Sequence, residues 1–364
     1  MMLCPVYSPL GLTVERAEGV RIFTSKGEFL DTYGGIGVLP LGHSHPDVVR
    51  AIGEKASRYA HLSNYFLDPD ALEAAEILLS KTGRKGEVYF ANSGTEANEA
   101  ALKAVKKNRT GAIVSFEGNF HGRTLGALSI TWGPSMRHPF EPLIPGCVFL
   151  PLSGRALLDF AEKNEVAGIF FECIQGNTGI YPIPEDLALA AAKLRKERGV
   201  LIAADEIQGG LGRTGKFFSF EHFGLEPDII TLGKGLGGGL PLGAALFCGW
   251  SPFAPGDHGS TFAPNPVSLA AGKAVLRHLT PDLLEEVSRK GALLRERLAA
   301  LPWAGEVRGK GLMIGVGAEN PAEIKKKAFD RSVLLNVTGG GIRFLPALTI
   351  TEPEMDEIVR RLNF

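Results

Sequence analysis

Short apolar runs alternate along most of the chain with longer segments that have the spacing of amphipathic helices. Each run is rich in β-branched or aromatic residues and is bounded by small or polar residues, which predicts a strand. Seven strands are predicted in this way, at residues 87–91, 111–116, 147–152, 166–173, 200–204, 228–232 and 242–248.

The intervening segments predict helices at residues 71–81, 96–107, 155–164 and 185–198. The run that begins at Val166 stays apolar until Glu172, as expected for a strand that is buried on both faces. Strands that alternate with helices are typical of an α/β fold in which helices cover a parallel sheet.

The two ends of the chain have a different character. Helical patterns at 266–279 and 282–301 precede strands near 311–316 and 341–344, which predicts an α+β unit. The first sixty residues predict an arm and a strand pair, 20–24 and 28–31. The expected organisation is therefore an amino-terminal arm with part of a small domain at 1–60, a large α/β domain at 61–265, and an α+β domain at 266–364.

Composition limits the possible partners. A chain of 364 residues with 45% hydrophobic content can bury a large core. Its 39 basic and 40 acidic side chains give a net charge of -1, so no overall field attracts it to nucleic acid or an anionic membrane. We expect small molecules or a second copy of the chain as partners.

The cysteines and the apolar runs indicate a compartment. Cys4, Cys147, Cys173 and Cys248 form no C-x-x-C pair, and the last three lie in strand-like runs, which is typical of free thiols in a reducing environment. The sequence shows neither a signal-peptide pattern nor an apolar run near the length of a membrane span. The expected location is the cytoplasm.

Lys234 is the strongest candidate for chemistry. It lies between the predicted strand 228–232 and a glycine-rich turn, so its amine is expected to face a cleft and could form a Schiff base with an aldehyde. The strand 200–204 leads directly to Asp205. A lysine and a carboxylate at the ends of successive strands are what pyridoxal phosphate requires, because its aldehyde needs an amine and its ring nitrogen needs an anion.

Other polar residues follow the predicted strands, where ligands bind in open α/β sheets. After the first strand, Ser93, Gly94 and Thr95 lead into a helix, which indicates either a phosphate site or a plain helix cap. After the second strand come Phe120, which could stack on a planar ring, and Arg123, which could bind a carboxylate. Another hydroxyl-bearing turn occurs at 258–262.

Two other patterns give weak signals. Residues 210–215 match G-x-G-x-x-G, but no clear helix start and no strand-end acid complete a dinucleotide site. His43 and His45 lie close in sequence without a ligand cluster, so we expect a hydrogen-bonded turn and no metal site.

Four segments together resemble those of class III aminotransferases, with most similarity to the acetylornithine and ornithine aminotransferases. They are residues 93–101, 120–124, 205–208 and 234–241. The resemblance implies the fold of fold type I pyridoxal-phosphate enzymes, in which a large domain with a seven-stranded, mostly parallel sheet joins a small α+β domain built from both termini. It also implies a homodimer with active sites at the subunit interface.

The resemblance implies a role for each matching position. Lys234 would hold the aldehyde of pyridoxal phosphate and later act as the base, Asp205 would pair with the ring nitrogen, Gln208 would bind the phenolic oxygen, and Phe120 would stack on the ring. Ser93, Gly94 and Thr95 belong to the expected phosphate end, and Thr261 would reach the phosphate of the neighbouring subunit. Arg123, Ser260 and Arg343 would bind substrate, with Arg343 on the carboxylate of glutamate.

The implied reaction moves an amino group from an acetylornithine-like donor to 2-oxoglutarate in two half-reactions at one site. Other amino donors remain possible, namely ornithine, 4-aminobutyrate, lysine or α-amino acids. An aminomutase or racemase that uses the same cofactor is a second class of function, and a dehydrogenase built on the G-x-G-x-x-G pattern is a third.

Two departures from the family pattern concern the substrate. Asn177 stands where relatives commonly have a glutamate that masks the arginine matching Arg343, so we expect Asn177 to hydrogen-bond Arg343 without cancelling its charge. An Arg343 that is always available would favour a carboxylate next to the reacting amine and weaken selection for ω-amino donors. Ala263 and Pro264 replace paired glycines, which changes the expected shape of the phosphate loop between subunits.

Overall fold

The computed structural model describes residues 4–364. Its strands, in chain order, are β1 (Val14–Glu18), β2 (Arg21–Thr24), β3 (Gly27–Asp31), β4 (Gly86–Ala91), β5 (Ala112–Phe116), β6 (Cys147–Leu150), β7 (Val166–Phe171), β8 (Ile174–Gln175), β9 (Tyr181–Pro182), β10 (Leu201–Asp205), β11 (Ile229–Leu232), β12 (Gly243–Cys248), β13 (Val307–Lys310), β14 (Met313–Gly317), β15 (Val333–Leu334), β16 (Asn336–Thr338) and β17 (Gly341–Phe344).

The α-helices of the same residues are α1 (Gly34–Gly37), α2 (Pro46–Arg58), α3 (Pro69–Thr82), α4 (Gly94–Asn108), α5 (Leu125–Ser129), α6 (Pro134–Arg137), α7 (Gly154–Lys163), α8 (Glu185–Arg198), α9 (Pro266–His278), α10 (Pro281–Ala299), α11 (Pro321–Asp330) and α12 (Glu352–Leu362). None of the helices described is both long enough and apolar enough to cross a membrane.

The main sheet has seven strands in the order β4-β12-β11-β10-β7-β5-β6. Strands β11, β10, β7, β5 and β6 are parallel, whereas β12 runs antiparallel to both of its neighbours. All seven predicted strands are present, so the predicted α/β class with a mostly parallel sheet is confirmed.

Both faces of the central strands of this sheet are buried, which explains why β7 is apolar throughout. On one face, Phe170 packs with Val105 of α4. On the other face, Ile169 and Phe171 pack with residues of α7 and α8, including Leu157 and Leu194. Because successive side chains of a strand point to opposite faces, helix cover on both sides requires an apolar residue at every position.

The termini form two smaller sheets. The first has the order β1-β2-β3-β15 and joins the amino-terminal strands to β15, which lies parallel to β3. The second has the order β13-β14-β17-β16 and is antiparallel throughout. Elements from both ends of the chain therefore share one sheet. The domain borders near residues 60 and 265 stay a prediction.

One element of the first sixty residues differs from the expected arm. Residues Pro46–Arg58 form the helix α2, which packs against α9. Only Val48 and Lys55 of α2 are buried, and the Lys55 amine lies 2.8 Å from Asp68 and 2.7 Å from Asp70. Val48, Ile52 and Lys55 recur at the spacing of one helix face, and Pro46 stands at the first helical position, so the sequence carried a signal for this helix that the expected arm overlooked.

Truncation of Ile202 tests the importance of the core. Its side chain is fully buried at the centre of β10, so Ile202→Ala should cost about 2–5 kcal/mol and lower the midpoint of thermal unfolding. Leu189→Ala, at a side chain on α8 that is 65% exposed, is the matched control and should cost less than about 0.5 kcal/mol. Equal midpoints for the two variants would contradict this packing.

Candidate active site

A cavity of about 240 Å³ opens beyond the carboxyl ends of the parallel strands, where an α/β sheet binds its ligands. Strand β10 ends at Asp205, β11 leads to Lys234, and β5 leads to Phe120. The cavity is lined by Gly94, Thr95, Phe120, His121, Gly122, Arg123, Glu172, Asp205, Ile207, Gln208 and Lys234.

Asp205 is buried and rigidly held. Its Oδ2 accepts a hydrogen bond from Asn98 Nδ2 at 2.8 Å and lies 2.7 Å from His121 Nδ1, and its Oδ1 accepts from the Ile207 amide at 3.0 Å. These contacts come from α4, from the segment after β5, and from the residue two positions along the chain. A carboxylate fixed in this way presents negative charge to the cavity without reorganising.

Lys234 follows β11 and has a left-handed backbone with φ of 41°, which costs a residue with a side chain roughly 1–2 kcal/mol. Its amine lies in the cavity. Burial lowers the pKa of this amine below the ordinary value of 10.5, although the Asp205 and Glu172 carboxylates act in the opposite direction. A lysine with a lowered pKa has more free amine at neutral pH and is a better nucleophile.

One end of the cavity is suited to a phosphate. Gly94 and Thr95 form the first turn of α4, where free backbone amides and the helix dipole favour an anion. The walls leave no room for larger residues, because a Cβ on Gly94 would lie 2.6 Å from Ile207 Cδ1 and a Cβ on Gly122 would lie 2.1 Å from Thr95 Oγ1. Thr95 Oγ1 lies 2.8 Å from the Thr124 hydroxyl.

Ser93 lies at the edge of this turn and caps the helix. Its hydroxyl donates to Glu96 Oε2 at 2.8 Å and accepts from the Glu96 amide at 3.3 Å. The two alternatives for this segment thus coexist, because Ser93 serves as the cap while Gly94 and Thr95 line the cavity. The predicted role of Ser93 in binding the cofactor stays a prediction.

Phe120 and Arg123 lie on the same side of the site. The Arg123 guanidinium carbon is 5.7 Å from the centre of the Phe120 ring, within the range of a cation–π contact. Arg123 is exposed, and none of the carboxylates in the described part of the chain lies within 4.0 Å of it. It is available to a carboxylate that enters the cavity.

Arg343 lies next to the cavity, since its Nη1 donates to Gln208 Oε1 at 3.1 Å. It is 3% exposed. The Gly176 carbonyl accepts a second bond from Nη1 at 2.8 Å, and Asn336 Oδ1 accepts from Nε at 3.0 Å and from Nη2 at 2.7 Å. Burial lowers the pKa of Arg343 to about 10.

The expected contact between Asn177 and Arg343 is not found among the hydrogen bonds of residues 4–364. Asn177 is exposed, and its carbonyl oxygen accepts a hydrogen bond from the Thr338 hydroxyl. The neighbouring Gly176 carbonyl and Asn336 contact the guanidinium instead. The expected partner was therefore wrong. The two groups that contact the guanidinium in its place are also uncharged, and the effect of this on donor choice stays a prediction.

Ser260 and Thr261 lie outside the cavity of their own chain. The Ser260 carbonyl accepts from Asn64 Nδ2 at 2.9 Å, and its hydroxyl accepts from Asn92 Nδ2 at 3.2 Å. Thr261 and the following Phe262 are exposed. The resemblance places these residues at the site of a second subunit, and that role stays a prediction.

Several residues that shape the site were not among the predicted site residues. His121 and Asn98 lie within the family-like segments 120–124 and 93–101, but only the fold shows that both contact Asp205. Glu172 lines the cavity and accepts from the Phe120 and Gly176 amides at 2.8 and 2.9 Å, and burial raises its pKa. Glu172 could have been predicted, because it is a carboxylate that directly follows a fully apolar strand.

The histidines considered for metal binding have other contacts. His43 Nε2 lies 2.9 Å from Asp31 Oδ2. His45 packs edge-on against His278, whose Nε2 lies 2.8 Å from Asp47 Oδ2, and ligand atoms of these three residues lie within 4.8 Å of one another. Arg50 also donates to Asp47, so ion pairing already accounts for this carboxylate.

The cavity fits pyridoxal phosphate in its donor set. A buried carboxylate, a lysine amine, an aromatic ring and a helix amino terminus are present around one space, as the ring nitrogen, aldehyde, ring face and phosphate of this cofactor require. A side chain at position 94 or 122 would collide with Ile207 or Thr95, which line the same space, so the walls as they stand require glycine at both positions. The fold and site together define a pyridoxal-phosphate enzyme.

Comparison with known proteins gives the family. The model of "Aminotransferase class-III" matches residues 5–363, and the chain belongs to this family, with pyridoxal phosphate as its cofactor. It is 40% identical to an acetylornithine aminotransferase of Caldanaerobacter subterraneus subsp. tengcongensis, over 99% of this chain and 96% of the relative. It is 41% identical to an acetylornithine aminotransferase of Methanopyrus kandleri, over 98% of this chain and 94% of the relative.

Solved structures agree with this assignment. An ornithine aminotransferase from Toxoplasma gondii superposes with a TM-score of 0.92 at 29% identity, over 99% of this chain and 91% of that one. An N-acetylornithine aminotransferase from Stenotrophomonas maltophilia superposes with a TM-score of 0.84 at 32% identity, over 98% and 96%. The chain is therefore a class III transaminase with the fold of these enzymes.

Replacement of Lys234 tests its position in the cavity. Lys234→Ala should give a folded protein that lacks the visible absorption band of covalently held pyridoxal phosphate, because a cavity-facing amine contributes little packing. Lys326→Ala, at an exposed lysine of α11, is the control and should keep the band. Absorbance spectra and circular dichroism provide the readout, and a band of normal intensity in Lys234→Ala would contradict the assignment.

The lowered pKa of Lys234 predicts a pH dependence. Only the unprotonated amine attacks an aldehyde, so the rate of attachment of pyridoxal phosphate to the apoenzyme should rise with pH and level off below 10.5. Stopped-flow absorbance measures this rate. A rate that climbs steadily to 10.5, as for an ordinary lysine, would show that burial does not depress this pKa.

Proposed function

We propose that the enzyme transfers an amino group from an acetylornithine-like donor to 2-oxoglutarate by a ping-pong mechanism. The observation that carries this proposal is the pair of arginines at the cavity. Arg123 lines it and Arg343 lies against Gln208, and neither is paired with a carboxylate in the part of the chain that the structure describes. Acetylornithine and 2-oxoglutarate both carry carboxylates that such arginines bind.

The named relatives support the donor. Acetylornithine aminotransferases match nearly the full chain at 40 and 41% identity. We assign Arg123 to the carboxylate of the acetylornithine-like donor and Arg343 to that of glutamate and 2-oxoglutarate. The buried position of Arg343 suits this role, since a charge-assisted bond is stronger where water is excluded.

Bound pyridoxal phosphate supplies an aldehyde that takes up the amino group and a ring that withdraws the electrons left when the substrate carbon loses its proton. We assign Lys234 first to holding that aldehyde and then, once an incoming amine has displaced it, to moving the proton between carbon atoms. Its lowered pKa favours this work, because the free amine is the proton acceptor.

Four further residues orient the cofactor in this proposal. The negative charge of Asp205 keeps a proton on the ring nitrogen, and Asn98 and His121 hold the carboxylate in position for this role. Gln208 binds the phenolic oxygen through its amide nitrogen, while its Oε1 faces Arg343. Gly94 and Thr95 bind the phosphate with the first amides of α4, and Phe120 covers the ring.

We further propose a homodimer in the cytoplasm, in which Thr261 reaches the phosphate of the neighbouring subunit and Ser260 lies near its substrate. Exposed apolar side chains near these residues support an interface. Phe262 is 63% exposed, and Tyr65, Phe66 and Leu67 are exposed beside Asn64, which contacts Ser260. The four free cysteines suit a reducing compartment.

A donor panel assayed with 2-oxoglutarate tests the proposal. We expect acetylornithine to have the highest kcat/KM among acetylornithine, ornithine, 4-aminobutyrate and common α-amino acids. Because Arg343 has no anionic mask, α-amino acids with a carboxylate beside the reacting amine should also be accepted. Formation of glutamate measures turnover.

Two outcomes of the panel would contradict the proposal. Turnover confined to α-amino acids would remove acetylornithine as the donor. Isomerisation of an amino acid without any 2-oxo acid would instead indicate an aminomutase or racemase.

A further inference from the structure

Asn336 and Arg343 form a cross-strand pair. Asn336 of β16 lies directly opposite Arg343 of β17 in the antiparallel register, so both side chains are on one face of the small sheet. The strands are joined by Gly339 and Gly340, whose φ angles are 53° and 74°. A tight glycine turn fixes this register, and the register brings the amide to the guanidinium.

The contact uses one side of the arginine fork. Nε and Nη2 both donate to Asn336 Oδ1, at 3.0 and 2.7 Å. A carboxylate that paired with Arg343 from this side would occupy the same place. Asn336 fills it with an oxygen that accepts the same hydrogen bonds but carries no formal charge.

Of the remaining donors of Arg343, Nη1 reaches toward the cavity through Gln208, which lines it. Nη1 donates to the Gly176 carbonyl and to Gln208 Oε1. A guanidinium has about five N–H groups. The Nε group and one on Nη2 donate to Asn336, and both on Nη1 are used, so the second group on Nη2 is left for an incoming carboxylate. A second becomes available if Gln208, which lines the cavity, releases Nη1.

No carboxylate of residues 4–364 lies within 4.0 Å of the Arg343 nitrogens. The Glu172 carboxylate acts on Arg343 through its charge without contacting it, and its two oxygens accept from the Phe120 and Gly176 amides. The guanidinium is therefore buried, held in one orientation by neutral oxygens, and short of a counter-ion. A buried cation in this state favours binding of an anion.

We propose that Asn336 is a positioning residue that fixes Arg343 with a neutral oxygen and so reserves its whole charge for a substrate carboxylate. Asn336 thus determines specificity for dicarboxylates of the 2-oxoglutarate class at this end of the cavity. The inference rests on the proposed function, and it assigns to Asn336 the role of neutral partner that sequence analysis had expected of Asn177.

The test is Asn336→Asp, which keeps the shape of the side chain and adds one negative charge beside Arg343. The probe is glutarate, a five-carbon dicarboxylate with no amine or oxo group, titrated calorimetrically into the pyridoxal-phosphate-loaded enzyme. A charge-assisted bond contributes enough that its loss should raise the Kd by about 10- to 100-fold. The KM for 2-oxoglutarate should rise in parallel, with kcat for acetylornithine in the first half-reaction little changed.

Two further variants separate charge from structure. Asn320→Asp adds the same charge at the exposed cap of α11, where aspartate is an equally good cap, and should leave the Kd unchanged. Asn336→Ala removes the clamp without adding charge and should raise the Kd by a smaller factor than Asn336→Asp. Thermal midpoints report whether each variant is folded.

The outcomes distinguish this inference from the function on which it rests. Suppose that the unmodified enzyme transfers amino groups. If Asn336→Asp then binds glutarate with the same Kd as the unmodified enzyme, the role proposed for Asn336 is wrong. The same holds if Asn336→Ala weakens binding more than Asn336→Asp. If the unmodified enzyme binds glutarate but transfers no amino group from any donor, the proposed function fails while the glutarate titrations still test Asn336.

Discussion

The site depends on one buried carboxylate, Asp205, at the end of a central strand. Asn98 Nδ2 and His121 Nδ1 lie 2.8 and 2.7 Å from Asp205 Oδ2, so the carboxylate is held in place before any ligand binds. A buried anion needs a cationic partner, and the protonated ring nitrogen of pyridoxal phosphate is the partner that we propose. In this proposal Lys234, which follows the next strand, would hold the aldehyde of the cofactor.

The parallel sheet explains why residues so distant in sequence meet. Strands β5, β10 and β11 end at the same edge and deliver Phe120, Asp205 and Lys234 to one cavity, while α4 adds its amino terminus. The sheet can hold these ends in place because helices pack against both of its faces. The small sheet then adds Arg343, already oriented by Asn336 of the neighbouring strand.

Much of this arrangement could be predicted from sequence, because it follows from local rules. Apolar runs identified all seven strands, and the rule that ligands bind at strand ends selected Lys234, Asp205, Thr95 and Phe120. Contacts between distant segments could not be predicted in this way. Nothing in the sequence around Asn336 indicates that its amide contacts Arg343. Asn177 was expected as the partner only because relatives commonly have at its position a glutamate that pairs with the matching arginine. The helix α2 was also not predicted, although its apolar positions have helical spacing and Pro46 marks its start.

The protonation state of the cofactor ring nitrogen tests the central claim most directly. Pyridoxal phosphate labelled with ¹⁵N at the ring can be bound to the enzyme and to Asp205→Asn, and its chemical shift distinguishes a protonated from an unprotonated nitrogen. The account predicts a protonated nitrogen in the enzyme at neutral pH and an unprotonated one in the variant. An unprotonated nitrogen in the unmodified enzyme, or the same shift in both proteins, would contradict it.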